Sequence, residues 1–241
     1  MSDKKETVTT PEAEAVISSA KGFWEKNSKV ITYVGSAVIL LIAGWYSYVN
    51  FYKLPKENAA KDMVFSAEKL FDQMAGSGFN KDSVNIVLNG GNLEGTPVTG
   101  LLKVISQYGS TETANRARYM AGACYLQIGE FQKAVKYLEE FKGNGADQVQ
   151  SRAYIMLGHA NAELKKTGEA LKFYQKAATV NEKDEAMTSD ALMLAASYAK
   201  ATGQTKEAID LLTRLKDKYP TSTVVANGEV DKQLASLGQL N

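Results

Sequence analysis

Cysteine and histidine are almost missing from this sequence, which has one of each among 241 residues. A single Cys124 excludes an internal disulfide, and a single His159 argues against a histidine-rich metal site or a repeated acid–base pair. Cys124 stands beside Tyr125 in an apolar stretch, so we expect a small core residue rather than a nucleophile. For His159, peptide contact or simple packing is favoured over catalysis.

Charge of one sign is also missing, since 28 basic and 27 acidic residues leave a formal net charge of +1. Without a basic excess, nothing indicates a nucleic-acid partner. A glycine-rich loop at Gly90, Gly91 and Gly95 lacks the spacing of a phosphate-binding loop, and no Gly-Lys-Ser/Thr follows it. No Ser/His/Asp or paired-carboxylate set is apparent. We therefore predict no enzyme activity, cofactor, metal, nucleic acid or small-molecule substrate.

One long apolar run is present at residues 30–52, where 23 positions carry no charge. As a helix this run would be about 34 Å long, enough to cross a hydrocarbon layer of about 30 Å. Aromatic rings crowd one end of the run, as they do at lipid–water boundaries; they are Trp45, Tyr46, Tyr48, Phe51 and Tyr52. A cleaved signal peptide would need a shorter apolar core and a small-x-small cleavage site. We predict a retained transmembrane helix.

The segment before this run, residues 1–29, is a polar N-terminal tail. We expect residues 1–11 to be disordered. Apolar residues then recur at helical spacing, which predicts a short helix lying on the membrane surface, with a disordered tail as the alternative; these residues are Val16, Ile17, Ala20, Phe23 and Trp24. Lysines near the two ends of the run are balanced, so charge alone leaves the orientation of the membrane helix open.

Residues 113–220 contain a spaced pattern of small and large apolar residues. Gly122 is followed twelve positions later by Ala134, and four positions further by Leu138. The second copy lies 36 residues on and has Gly158, Ala170 and Tyr174. A small residue where two helices touch, followed by a bulky residue that fills the gap, is typical of the tetratricopeptide repeat. The pattern predicts stacked helical hairpins.

A third copy follows with Leu194, Ala195, Tyr198, Ala208, Leu212 and Pro220. Its distance from Ala195 to Ala208 is one residue longer than in the first two copies, which predicts an irregular turn around Gly203. The three hairpins are expected at about 113–142, 150–178 and 189–219. Together they form three tetratricopeptide repeats.

The segments on either side of the repeats show weaker forms of the same helical pattern. Residues 53–112 predict a degenerate leading hairpin with the glycine-rich loop inside it, in which Thr96 caps a new helix with Pro97 at its first position. Pro55 should break or kink the helix that leaves the membrane. Residues 221–241 predict one last helix, capped by Ser222, that shields the end of the stack. The predicted fold is all-α, a single N-terminal transmembrane helix followed by a tetratricopeptide-repeat solenoid.

In such stacks the first helix of each hairpin lines a concave face, which is the expected partner groove. By repeat position we assign to this groove Arg116, Tyr119, Ala123, Leu126, Arg152, Ile155, His159, Ala162, Leu192 and Ala196, with Ser189 and Ala199 beside them. The alternative is that these residues only support curvature and that the two arginines pair with neighbouring carboxylates. Carboxylate-clamp repeats use Lys and Asn where this chain has Tyr119 and Ala123, so recognition of a free acidic C-terminus in that way is not expected.

The order of parts also carries a family resemblance. A segment rich in aromatic residues and lysine precedes the predicted membrane helix, which ends in Gly44-Trp45-Tyr46, and tetratricopeptide hairpins follow. The residues of that segment are Phe23, Trp24, Lys26, Asn27 and Lys29. The segment from Leu101 to Phe141 contains Tyr108-Gly109-Ser110-Thr111, Asn115, Ala117, Tyr119, Gly122 and Tyr125. This resembles the YfgM-like family of bacterial inner-membrane proteins, ancillary to the Sec translocon. The resemblance implies an N-in anchor with periplasmic repeats, near emerging secretory chains and periplasmic chaperones.

These expectations define a non-enzymatic, membrane-anchored adaptor for protein–protein interactions at the cell envelope. Its expected partners are translocon subunits, periplasmic chaperones or emerging secretory chains. The alternative is a structural scaffold that organises cell-division or outer-membrane assembly machinery through its convex face or by self-association.

Overall fold

The computed structural model describes residues 11–93 and 95–239 and divides the chain into two compact units. The first unit ends at Pro55, and the second begins at Lys56. Of the described residues 79% are helical, which confirms the predicted all-α class. The disorder predicted for the N-terminus concerns residues 1–10, which lie outside the described residues, and Pro11, which begins the first helix.

The first unit contains one long helix, α1 (Pro11–Tyr48), followed by a π-helical turn (Val49–Lys53). The 38 residues of α1 correspond to about 57 Å, well beyond a hydrocarbon thickness of about 30 Å. The helical region Ala15–Ser77 contains an 18-residue window with a mean hydropathy of 1.7, none of which is buried, and is suited by length and composition to crossing a membrane. The predicted interruption near Pro55 is present, because the π-helical turn separates α1 from the next helix, in whose first turn Pro55 lies.

The second unit begins at Lys56, within helix α2 (Leu54–Ser77). It continues with α3 (Lys81–Asn89), a β-hairpin and α4 (Leu101–Tyr108). The hairpin consists of β1 (Gly91–Leu93) and β2 (Thr96–Val98), paired antiparallel with Asn92 opposite Pro97. The predicted helix start at Thr96 and Pro97 is therefore wrong. A Cβ on Gly100 would overlap the backbone of Asn89 and Gly90, so the glycines allow two chain segments to meet at the base of the hairpin.

Three helical hairpins follow, each near its predicted position. The first is α5 (Glu112–Gln127) with α6 (Phe131–Glu140), and the second is α7 (Asp147–Glu163) with α8 (Thr167–Ala177). The third is α9 (Glu185–Ala201) with α10 (Thr205–Lys218). Side chains of Thr111 and Asp184 accept hydrogen bonds from the backbone N–H groups three residues later, which fixes where α5 and α9 begin.

The small residues of the repeat lie where the two helices of a hairpin touch. A Cβ on Gly122 would come within 2.5 Å of Leu138 Cγ, and a Cβ on Gly158 would overlap the Tyr174 ring. In the third hairpin this place belongs to the fully buried Ala196, which precedes Ala208 by the same twelve positions.

Ala196 therefore replaces Ala195 as the equivalent of Gly158, and the irregular turn predicted at Gly203 is wrong. The turns of the three hairpins share one conformation, with φ of 78° at Gly129, 60° at Lys165 and 77° at Gly203. The apparent extra residue came from counting from the wrong alanine.

The C-terminal segment forms two short helices instead of the single predicted one. These are α11 (Thr223–Ala226) and α12 (Glu229–Ser236), separated at Gly228, whose φ of 75° is left-handed. The Ser222 hydroxyl donates to the Tyr219 carbonyl at 2.8 Å and does not cap α11. Val230 and Leu234 of α12 are buried against the third hairpin, so the end of the stack is shielded as expected.

Candidate protein-binding surface

The candidate site lies on α5, α7 and α9, the first helices of the three hairpins. The helices contact one another in sequence, so side chains at equivalent repeat positions form rows across them. With Gly122, Gly158 and Ala196 as equivalents, four rows define what we call the first-helix surface. The rows are Arg116, Arg152 and Asp190; Tyr119, Ile155 and Met193; Ala123, His159 and Ser197; and Leu126, Ala162 and Lys200.

Two of the predicted groove residues do not reach this surface. Leu192 and Ala196 have no exposed area and pack inside the hydrophobic core of the third repeat. Ser189 and Ala199 are buried as well. Their places are taken by the residues one position later, because the sequence alignment of the third repeat was displaced by one residue. Asp190, Met193, Ser197 and Lys200 could have been found by counting back twelve positions from Ala208.

The two arginines of the first row differ in their surroundings. Arg116 is half exposed and forms a 3.5 Å ion pair with Glu68 of α2, as the alternative prediction held. Arg152 is exposed and has no ion-pair partner among residues 11–93 and 95–239. It lies close enough to Tyr119 to affect its ionisation. Burial raises the pKa of the Tyr119 hydroxyl, and the positive charge of Arg152 partly offsets that effect.

Apolar side chains form a shelf next to Arg152. Tyr119 is half-buried, with its ring centroid 5.3 Å from that of the buried Phe141. Ile155 is half-buried and packs against the core shared by the second and third repeats. Leu126 is half-buried at the other end of the surface, in the fourth row. Ala123 is almost fully covered, at 8% exposure. A cation beside partly exposed aromatic and aliphatic groups is suited to a segment that carries both a carboxylate and an apolar side chain.

His159 is exposed, and its ring is held by one tyrosine. The Tyr174 hydroxyl and His159 Nδ1 are 3.1 Å apart, and the rings meet edge to face at 5.5 Å. Burial lowers the pKa of His159 from its ordinary 6.5, and the nearby Glu163 carboxylate only partly opposes this, so the ring is mainly neutral at pH 7. Burial also raises the pKa of Tyr174 to about 12. The pair is therefore a neutral polar contact on the surface.

The described residues around this surface include no candidate nucleophile and no candidate metal-binding cluster. Cys124 is fully buried, and burial raises its pKa to about 12, so it is a protonated core residue at neutral pH, as predicted. Within the described part of the chain, no group of three or more His, Cys, Asp or Glu residues is placed to hold a metal ion.

The C-terminal helix α12 contacts the part of the surface that lies on α9. The Gln233 amide group lies 3.5 Å from both Met193 Sδ and Ser197 Oγ, and the Lys200 ammonium donates to Ser236 Oγ at 2.7 Å. These contacts involve one residue from each of the last three rows. On α9, Asp190 and Lys200 stay exposed, and Met193 and Ser197 are partly buried beside α12. Contact with α12 is a feature of the third repeat that the sequence did not predict.

Comparison with protein-family models identifies tetratricopeptide repeats at residues 116–144, 151–184 and 190–222. These ranges coincide with the three hairpins. A search of curated proteins found no match. The chain thus contains tetratricopeptide repeats in an all-α fold, with an N-terminal apolar helix as a candidate membrane span. Such repeats indicate an adaptor for protein–protein interactions and are typically non-enzymatic, whereas the finer resemblance to the YfgM-like family stays a prediction.

Proposed function

We propose that the protein is an envelope adaptor that captures protein segments on the α5 and α7 part of its first-helix surface. The observation that carries this is Arg152, an exposed cation without an ion-pair partner among the described residues, beside the shelf of Tyr119 and Ile155. A partner segment would place a carboxylate on Arg152 and an apolar side chain on the shelf. Arg116 contributes less, since Glu68 already neutralises it.

The membrane anchor supports an adaptor that works by weak contacts. Tethering confines the repeats to a thin layer and so raises their effective concentration towards other membrane-bound proteins. Through the YfgM-like resemblance we infer a single-pass bacterial inner-membrane protein with periplasmic repeats. Its partners would be subunits of the Sec translocon, periplasmic chaperones or emerging secretory chains.

Partner capture tests the surface directly. Arg152→Glu combined with Leu126→Asp should lower crosslinking and co-purification of partners by roughly tenfold or more, because it reverses the charge at Arg152 and places a charge on an apolar position at the other end of the surface. Lys206→Glu on α10, also exposed but outside the four rows, is the matched control. Circular dichroism should show unchanged helicity in both variants. Equal capture by the double variant and the control would contradict the proposed surface.

The identity of the captured proteins and the sidedness of the repeats test the cellular role. Recovery of translocon subunits and chaperones supports the secretory role, whereas recovery of cell-division or outer-membrane assembly factors supports the scaffold. A topology reporter fused after Asn241 should give a periplasmic signal. A cytoplasmic signal would remove the secretory role while leaving the binding surface untouched.

A further inference from the structure

The part of α1 that precedes the apolar run carries exposed apolar side chains. Exposed fractions are 69% for Val16, 59% for Ile17, 64% for Phe23 and 56% for Trp24. These large side chains need a cover, since an isolated helix with an exposed apolar stripe is not stable in water. Either a bilayer surface or another helix could supply that cover.

The continuity of α1 favours another helix. α1 runs from Pro11 to Tyr48 without interruption, so residues 11–29 share one axis with the apolar run. A helix that crosses a bilayer cannot also lie along its surface without a bend, and α1 contains no proline after its first residue. The stripe therefore projects beyond the apolar run.

The spacing of the stripe matches a heptad repeat. In residues 12–29, the large apolar residues Val16, Ile17, Phe23 and Trp24 fall at heptad positions d and e. Ala13 and Ala20 fall at a, and Ala15 falls at c. Every charged residue of this segment falls at b, c, f or g; these residues are Glu12, Glu14, Lys21, Glu25, Lys26 and Lys29. This separation is typical of a helix that packs along another helix.

One polar residue interrupts the stripe, and its position is informative. Asn27 occupies an a position, and its amide group donates to the Phe23 carbonyl of the same helix at 2.9 Å. Asparagine at a single a position fixes register and favours paired parallel helices, because two equivalent amides can meet across the interface. The a and d series then continues into the apolar run with Val30, Val34, Ala37, Leu41 and Gly44.

We propose that α1 forms a parallel homodimer in which this stripe packs against the same stripe of a second copy. Two copies inserted with the same orientation are necessarily parallel, so each a or d residue meets its own equivalent. Small residues at Ala13, Ala20, Ala37 and Gly44 let the backbones approach. The dimer goes beyond the proposed capture of partners and is independent of it, since it uses none of the residues of the first-helix surface.

Cysteine crosslinking in membranes tests the dimer on the full chain. Cys124 is buried, and a Cys124→Ala background removes it without opening a large cavity. Phe23→Cys at a d position should form an oxidised dimer in roughly tenfold higher yield than Glu25→Cys at an f position, because a disulfide needs Cβ atoms within about 4.5 Å. Val16→Cys and Ser18→Cys form a second pair with the same expectation.

A further variant separates specific pairing from chance collision. Adding Phe23→Glu to the Val16→Cys chain should lower its crosslink yield severalfold, whereas adding Glu25→Gln should leave it unchanged. Equal yields at d and f positions would overturn the dimer, as would no crosslink at either position, which is the result for a stripe covered by lipid or by a different protein. Neither result would bear on partner capture.

Discussion

At the scale of the residue, the tightest point of the repeat is the contact between Gly158 and Tyr174. Gly158→Ala gains up to about 1 kcal/mol of helix propensity but costs about 1–3 kcal/mol of overpacking. The cost of overpacking should prevail, because the Tyr174 ring lies between two other rings and cannot move freely. Its centroid is 5.5 Å from that of His159 and 5.1 Å from that of Tyr198. We expect a net loss of about 1–2 kcal/mol in the free energy of unfolding, measured by urea titration of residues 56–241.

Gly168→Ala is the matched control for this prediction. Gly168 lies in α8, and a Cβ there would meet no atom within 4 Å. Without overpacking, only the helix-propensity gain of at most about 1 kcal/mol remains, so this variant should be slightly more stable than wild type. A destabilised control would show that alanine is harmful for reasons other than the Tyr174 contact.

A second residue-scale prediction concerns Glu57, whose carboxylate holds the beginning of α5. It accepts hydrogen bonds from the Thr113 hydroxyl at 2.7 Å and from the backbone N–H groups of Thr113 and Glu112 at 3.0 and 2.9 Å. Burial raises the pKa of Glu57, but these hydrogen bonds outweigh it and leave the pKa below 4.5. The stabilisation is therefore complete at neutral pH and is lost as the pH falls through the lowered pKa.

Glu57→Gln should accordingly cost about 0.5–2 kcal/mol at pH 7, comparable to the loss of a helix cap. The difference from wild type should shrink once the pH falls below 4.5, where the wild-type carboxylate becomes protonated. Urea unfolding at pH 7 and pH 3 measures both quantities. A difference that is the same at both pH values would mean that charge at Glu57 does not stabilise α5.

At the scale of the element, the three hairpin turns use one backbone conformation but two residue types. Lys165 adopts a φ of 60° where the equivalent residues are Gly129 and Gly203. A left-handed conformation costs a residue with a side chain about 1 kcal/mol more than glycine. Lys165→Gly should therefore raise the midpoint of thermal unfolding by a few degrees, and Lys166→Gly, at a position with φ of −88°, should lower it.

The elements also show what a sequence can and cannot reveal. The first two hairpins were predictable because a glycine appears at each helix contact and marks the spacing to Ala134 and Ala170 without ambiguity. In the third hairpin two alanines stand together at 195 and 196, and composition cannot tell which one faces its partner helix. That one-residue ambiguity displaced all four residues that we assigned to the groove from the third repeat.

Short elements were missed for a different reason. The β-hairpin has only three residues in each strand, and its position depends on the meeting of Gly90 and Gly100. The division of the last helix depends on the left-handed Gly228. The packing of α12 on α9 depends on contacts between residues 36 to 40 positions apart, such as Met193 with Gln233. Local patterns carry no information about such contacts.

At the scale of the whole molecule, the chain divides at Pro55 into an apolar helix and a unit with its own core. We expect residues 56–241 to fold alone, to leave the membrane fraction and to be monomeric by light scattering, because the second unit contains both buried clusters. The full chain should remain in the membrane fraction. If α1 pairs, the full chain should be a dimer there. An aggregated or unfolded fragment would mean that the first unit contributes to the fold of the second.

The packing of α12 on α9 has a kinetic consequence. A ligand confined to α5 and α7 has a small footprint, so its residence time should be short and its exchange fast. A longer ligand that also binds Lys200 must compete with α12, a helix of only eight residues, and break the contact between Lys200 and Ser236. The C-terminal helix α12 would then help to determine which ligands dissociate quickly and which stay bound.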